Sequence, residues 1–328
     1  MFDPVIETQL YPGQGLGNQM WVIAAARGIA VETNRAHVIT GHNFYKGAGI
    51  FDIESAPESI LEAGAVAPFR ETLYYDHELG YHASWYDHRV ENLPPRVRLE
   101  GLFQSERYFF GRLKQLGSWL YPTEEVKRQA TQYSDVIVLN LRGGEYKRHK
   151  NLILPKSYWD FALGLLKEQT GFQNVLVVTD DQDYAKAFFP NLDVLTGGIL
   201  ECVAALHGAG ALGVSNSSFS YFPIKTRSDT PLVIAPAFWS RYQNPHGRWA
   251  SPANVYQDWS WLQPDGTLLS YKAAHAMANQ TGAYYEQTYT TRTDPTLNLG
   301  LSLSAKVPHW LKSPVKKIAR KLIPTKVG

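Results

Sequence analysis

Arg142-Gly143-Gly144-Glu145 follows directly on the apolar run Val136–Leu141. An arginine at the carboxyl end of a buried strand pairs bidentately with a diphosphate and does not titrate; the competing reading is a solvated side chain in a surface loop. The loop Gly13-Gln14-Gly15-Leu16-Gly17-Asn18-Gln19 offers similar chemistry. Its glycines let backbone N–H groups approach an anion where a helix begins, or they make a tight turn. The glycine spacing is not that of a dinucleotide-binding loop. Ser215-Asn216-Ser217-Ser218-Phe219-Ser220 brings hydroxyls to a helix start, suited to phosphate oxygens or to ordinary capping. Asp180-Asp181 suits a ribose, a base edge, a metal or again a cap. The Tyr-Asp-His pairs at 75–77 and 86–88, with His82 between them, match no metal-ligand spacing and read as aromatic packing with polar tips.

These residues need elements to hold them. Residues 5–11 read as a strand, 19–31 as a small-residue helix and 37–40 as a second strand. Residues 43–130 are less regular: a helix after Pro57, an aromatic stretch at 74–88 and helical patterning over 106–120. From 135 onward short apolar strands (136–141, 174–178, 211–215, 232–235) alternate with helices (158–170, 183–189, 199–207). That alternation indicates a parallel sheet buried on both faces. The expected fold is α/β, with residues 1–133 as an N-terminal lobe, 134–262 as a C-terminal lobe, 263–307 as an extension and 308–328 as a basic tail.

At 328 residues the chain is long enough for two cores. Its one cysteine, Cys202, lies on an apolar helix face and cannot form an intrachain disulfide. Neither a signal peptide nor an apolar run of 18 residues is visible. The formal charge of +2, less the seven Lys and Arg of residues 306–328, leaves −5 for residues 1–305. A mildly acidic body argues against a nucleic-acid partner. The aromatic segment 238–261 fits sugar stacking and core packing equally well.

Four segments, in order, resemble glycosyltransferase family 11, the α-1,2-fucosyltransferases. Gly15-Leu16-Gly17-Asn18-Gln19-Met20 is similar to its Gly-Asn-Gln-Met motif. Gly101 to Phe109 (Gly-Leu-Phe-Gln-Ser-Glu-Arg-Tyr-Phe) is similar to its Gly-Tyr-Phe-Gln-Ser-Glu-Lys-Tyr-Phe segment. Arg142–Tyr146 matches its His-x-Arg-Arg-Gly-Asp-Tyr motif, and Asn216–Ser220 its Asn-Ser-Ser-Phe-Ser-Trp-Trp motif. The likeness runs from about residue 7 to 239, with weaker echoes at Asp180-Asp181 and Val233–Pro236.

The resemblance implies a GT-B fold, two Rossmann-like lobes with a cleft between them, and inversion at the anomeric carbon without a required metal. GDP-fucose becomes the expected co-substrate and a glycan, such as a bacterial surface-polysaccharide or lipid-linked intermediate, the acceptor. Arg142 takes the diphosphate, with Ser217, Ser218 and Phe219 on the same leaving group. Gly15, Gly17, Asn18 and Gln19 cover the donor; Asn140, Gly144, Asp180 and Asp181 line its pocket. Gln104 and Glu106 fall on the acceptor side. Glu145 is the expected general base, with Glu106 and Asp87 as rivals. This chain has Asn140 for the family histidine, Gly143 for its second arginine, Glu145 for its aspartate and Tyr221-Phe222 for its Trp-Trp pair. Another nucleotide-hexose donor, or a non-catalytic carbohydrate-binding relative, are the alternatives.

In the tail, Ser313-Pro314 opens a pattern with Val315, Ile318, Ala319, Leu322 and Ile323 on one face and Lys316, Lys317, Arg320 and Lys321 on another. Such a helix reads as an anchor on anionic membrane, with a packed or frayed helix as the alternative. The expected location is cytoplasmic, peripheral on the inner membrane face.

Overall fold

The computed structural model describes residues 4–78, 80–289 and 291–292. The basic tail and the extension beyond residue 292 lie outside the described residues.

The first lobe is built on β1 (Val5–Gln9), β2 (Ala36–Thr40), β3 (Phe51–Ile53), β4 (Ala67–Arg70), β5 (Leu73–Asp76), β6 (Tyr81–Ser84), β7 (Arg96–Glu100) and β8 (Leu120–Pro122). Strands β2-β1-β7-β4 form one sheet, parallel throughout. Helix α1 (Leu16–Glu32) follows β1 and is buried along nearly its whole length, consistent with its Ala- and Gly-rich sequence. The stretch 43–130 is unlike the helices expected of it. Residues 58–63 and 106–109 are short 3-10 helices, and only α2 (Leu116–Trp119) and α3 (Glu124–Ala130) are α-helical. The aromatic stretch at 74–88 begins as the β5–β6 hairpin. There His77 and His82 each lie 4.8 Å from the Tyr75 ring, which is aromatic packing.

The second lobe carries β9 (Val136–Leu141), α4 (Lys156–Thr170), β10 (Asn174–Thr179), α5 (Gln182–Phe188), β11 (Asp193–Leu195), α6 (Ile199–Gly208), β12 (Ala211–Val214), α7 (Tyr221–Lys225), β13 (Leu232–Pro236), β14 (Ser260–Leu262) and β15 (Leu268–Leu269). Its sheet order is β11-β10-β9-β12-β13-β14-β15, parallel except for the last pair. Counted from β9, the six parallel strands run 3-2-1-4-5-6, the doubly wound dinucleotide-fold order. The run of β9, apolar except for Asn140, is explained by its interior position in the sheet, with Ile137 to Leu141 all buried.

The molecule is therefore α/β, with two Rossmann-like lobes, as the GT-B expectation requires. The chain joins the second lobe's packing before residue 134: α3 lies on α6 so closely that a Cβ at Gly208 would sit 2.0 Å from the Ala130 carbonyl oxygen. Beyond residue 262, β15 extends the second sheet. Helix α8 (Tyr271–Thr288) then packs against both β14 and β5, and β16 (Thr291–Arg292) pairs with β5, so the chain ends its described course on the first lobe.

A continuous aromatic core joins the lobes. Trp21 of α1 is fully buried and stacks between Phe109 (5.7 Å), Tyr221 (4.2 Å) and Tyr256 (5.5 Å). Trp239, Trp249, Trp259 and Trp261 are buried in the same cluster. The aromatic segment 238–261 thus belongs to the core and presents no sugar-stacking face from these tryptophans. Cys202 is buried on α6, and burial pushes its thiol up to about 11.

Candidate functional site

A doubly wound sheet opens a crevice where strand order reverses, outside the carboxyl ends of the two strands that flank the reversal. In the second lobe those strands are β9 and β12. Arg142–Tyr146 follows β9 and Ser215–Ser220 follows β12. The first sheet has its own reversal between β1 and β7. The Gly13–Asn18 loop follows β1, and Gly101–Gln104 follows β7. All four segments singled out in the sequence therefore stand at a switch point.

The two switch points meet at one atom. Asn18 Oδ1 accepts a hydrogen bond from Gln104 Nε2 (2.8 Å) and another from Ser218 Oγ (2.8 Å). Beside it, a Cβ on Gly17 would lie 2.5 Å from the Ser218 carbonyl carbon and oxygen. Gly17 is thus required by direct backbone contact between the lobes. Asn18 is half-buried, and its Nδ2 makes no hydrogen bond among the described residues. Gly15 caps the start of α1, and a Cβ there would meet no atom within 4 Å, which leaves open space above the first-turn N–H groups. Gly13, at φ 90°, is the residue in this loop that needs glycine for its backbone conformation.

Arg142 is held on two sides. Its Nη1 lies 2.9 Å from Asp180 Oδ2, and Asp180 Oδ1 accepts the Gly143 N–H at 2.9 Å. The guanidinium sits 5.2 Å from the Tyr146 ring centre, and Glu145 Oε1 is 3.8 Å from Nη2. The buried Nε has no partner among the described residues. Tyr146 donates to the Asn216 carbonyl (3.4 Å), and burial raises its phenol pKa. Asn216 is assigned with Nδ2 donating to the Leu152 carbonyl (3.1 Å) and Oδ1 accepting from Ser240 N–H (3.2 Å). Ser217 Oγ accepts the Phe219 N–H (3.3 Å) in a short turn, and Phe219 is half-buried against the core. Asn140 is buried; its Nδ2 donates to the Val178 carbonyl at 3.5 Å while Oδ1 stays unpartnered.

Several expected site residues are committed elsewhere. Gln19 is fully buried, donating to the Phe44 carbonyl (2.7 Å) and accepting from Lys46 N–H (2.9 Å), and so fastens a first-lobe loop. Glu106 accepts from Tyr221 Oη (2.8 Å) and Gln257 N–H (2.8 Å), with Lys225 Nζ at 3.5 Å. Burial raises its pKa, and both oxygens are occupied, so it is an interlobe anchor unavailable to an acceptor hydroxyl. Gln104 lies in a buried chain: its Oε1 accepts from Asn254 Nδ2 (3.2 Å), Asn254 Oδ1 accepts from Ser251, and Ser251 pairs with Ser84 (2.7 Å). Asp181 caps α5 through Tyr184 N–H (3.1 Å) and pairs with Lys147, which holds its carboxyl below the usual range. A Cβ on Gly144 would lie 2.4 Å from Asp180 Oδ2, so that glycine admits the aspartate. Asp87 is opposed by burial but bound by Arg89 and by Thr72 N–H, which lower its pKa; it closes a first-lobe turn. Glu145 alone among the three base candidates is exposed, at 47% of its side-chain surface.

Among the described residues no group of three or more His, Cys, Asp or Glu is gathered to hold a metal ion, and no helix is long and apolar enough to cross a membrane. Residues that sequence reasoning passes over are Tyr81 and Arg241. An arginine shortly after the apolar strand 232–236 is the signal that points to the last of them.

No protein-family model matches the chain, and no curated protein matches it. Among solved structures it is similar to POFUT1 in complex with GDP, at 11% identity and a TM-score of 0.45, over 72% of this chain and 98% of that one. POFUT1 in complex with GDP-fucose is similar at 11% identity and 0.44, over 71% and 97%. The fucosyltransferase NodZ from Bradyrhizobium is similar at 12% identity and 0.40, over 68% and 92%.

Proposed function

We propose that the chain is a nucleotide-sugar-dependent glycosyltransferase that moves fucose from GDP-fucose to a glycan hydroxyl by inverting, metal-independent displacement, as a divergent relative of family 11. The observation that carries this reading is the meeting of two sheet switch points at Asn18, with Arg142 and the Ser217-Ser218 turn on one side and the start of α1 on the other.

The chemistry follows from the groups present. The acceptor oxygen forms a bond to the anomeric carbon while the carbon–oxygen bond to the diphosphate breaks, and the electron pair leaves with the phosphate. Fixed cations and N–H donors aimed at that developing charge lower the barrier. Arg142, oriented by Asp180 and the Tyr146 ring, supplies the charge. Asn18 Nδ2 and the first N–H groups of α1 supply neutral donors from the opposite lobe. The acceptor proton passes to Glu145, the exposed candidate. Asn140 Oδ1 is an unpartnered acceptor suited to an N–H on the edge of a base. Because Asn140 also stands where the family carries histidine, a second reading keeps the site and reaction with another nucleotide-hexose.

Binding of GDP, UDP, ADP and CMP, measured by calorimetry on wild type and Arg142→Ala, tests this. GDP alone is expected to bind, with the substitution weakening it at least about 100-fold. Preference for UDP leaves the transferase reading and removes fucose; no binding by any of the four overturns catalysis. The acceptor class, a surface-polysaccharide or lipid-linked intermediate at the inner membrane face, rests on the basic amphipathic pattern of residues 308–328.

A further inference from the structure

Gly143 cannot give way to a second cation at the diphosphate. A Cβ there would lie 2.7 Å from Asp181 Cβ and 2.8 Å from Tyr184 Cδ1, so no larger side chain fits without displacing both. A diphosphate has two charged groups, and Arg142 already shares its charge with Asp180 and Glu145.

A second guanidinium approaches from the far side of the serine turn. Arg241 follows β13, the strand next to β12, and so emerges from the same carboxyl edge as Arg142 and Ser215–Ser218. Asn216 connects the two. Its carbonyl accepts from Tyr146 Oη, beside Arg142, and its side-chain oxygen accepts from the Ser240 N–H, one residue before Arg241. Ser240 is held at φ 61°, an unfavourable backbone for serine, which turns the chain sharply at this point. The Arg241 guanidinium lies 4.2 Å from the Tyr81 ring centre. Each of the two arginines thus lies over a tyrosine ring, and Asn216 links their two segments.

Arg241 differs from Arg142 in one respect. Its guanidinium has no carboxylate within ion-pairing distance among the described residues, and the one hydrogen bond that group makes there is from Nη1 to the Ser240 carbonyl (2.6 Å). Its Nε is buried and unpartnered, and burial lowers its pKa, with Tyr81, Tyr285 and Asp76 opposing that only through space. A half-buried cation without a counter-ion is costly unless an anion joins it. From this geometry we infer that Arg241 is the second cation of the donor site and pairs with the diphosphate across the Ser217-Ser218 turn from Arg142. The inference rests on the nucleotide-sugar reading above.

Calorimetry with GDP, and displacement of GDP by inorganic pyrophosphate, on wild type, Arg241→Gln and Arg241→Lys tests it. Thermal unfolding of each variant checks the fold. Arg241→Gln is expected to weaken both ligands about 10- to 100-fold, and Arg241→Lys to recover part of that loss. If wild type binds GDP through Arg142 and Arg241→Gln binds it equally well, this inference is overturned while the transferase reading stands. If GDP weakens but pyrophosphate does not, Arg241 supports the base pocket and the inference also fails. If wild type binds neither ligand, the transferase reading falls and takes this one with it.

Discussion

Glu71 shows how much one buried carboxyl can impose. It is 3% exposed and accepts the Leu102 N–H (2.7 Å) and Phe103 N–H (2.9 Å), shaping the segment that ends in Gln104. Burial pushes its pKa up to about 7. Because the folded value lies above the unfolded one, its stabilising neutral form is fully present below about pH 4 and is lost as pH rises through 7. The swing is about 3 kcal/mol. Urea unfolding of Glu71→Gln against wild type should therefore show the variant gaining on wild type by about that amount between pH 4 and 8; a difference independent of pH would refute it. Glu145 makes a sharper residue-level case. As the exposed base candidate, its change to glutamine should lower kcat at least about 100-fold while GDP affinity stays near wild type. Equal loss of both would assign it to binding instead. None of this residue detail except the candidacy of Glu145 is legible in the sequence. Glu106 and Glu145 look alike as letters, and only packing against Tyr221 and Lys225 removes the former from solvent.

At the scale of elements the sequence is more informative where patterns are local. The strand–loop–helix at the N-terminus and the buried run of β9 follow from apolar runs and breakers, and both agree with the observed elements to within a few residues. The stretch 43–130 is not legible, because short 3-10 turns and three- to five-residue strands take their stability from partners distant in sequence. The contacts that assemble the site span 86 residues from Asn18 to Gln104 and 200 from Asn18 to Ser218, which no local pattern encodes. Helix α1 permits a direct test of that assembly. Alanine at a helical glycine ordinarily stabilises by about 1 kcal/mol. Gly17→Ala should instead destabilise, by about 1–3 kcal/mol, because the methyl meets the Ser218 backbone; stabilisation in thermal unfolding would show that the lobes do not touch there.

For the whole molecule, the aromatic core around Trp21 makes the two lobes one cooperative unit. Trp21→Ala should cost about 3–5 kcal/mol and lower a single calorimetric transition; two separate transitions would contradict a shared core. The basic tail makes a different claim. Full-length protein should co-sediment with anionic vesicles, and truncation after residue 307 should abolish this; unchanged sedimentation removes the membrane proposal without touching the site.

The contact between Gly17 and Ser218 also limits how such a protein can be recombined. A chimera that takes its second lobe from a relative inherits a serine turn shaped for that relative's own helix start. On the proposed transferase reading, donor preference is therefore not a cassette bounded by the second sheet. Exchanging it calls for residues 15–18 and 215–218 to travel together, and a graft that separates them places a methyl or a foreign turn where the two backbones now lie against each other.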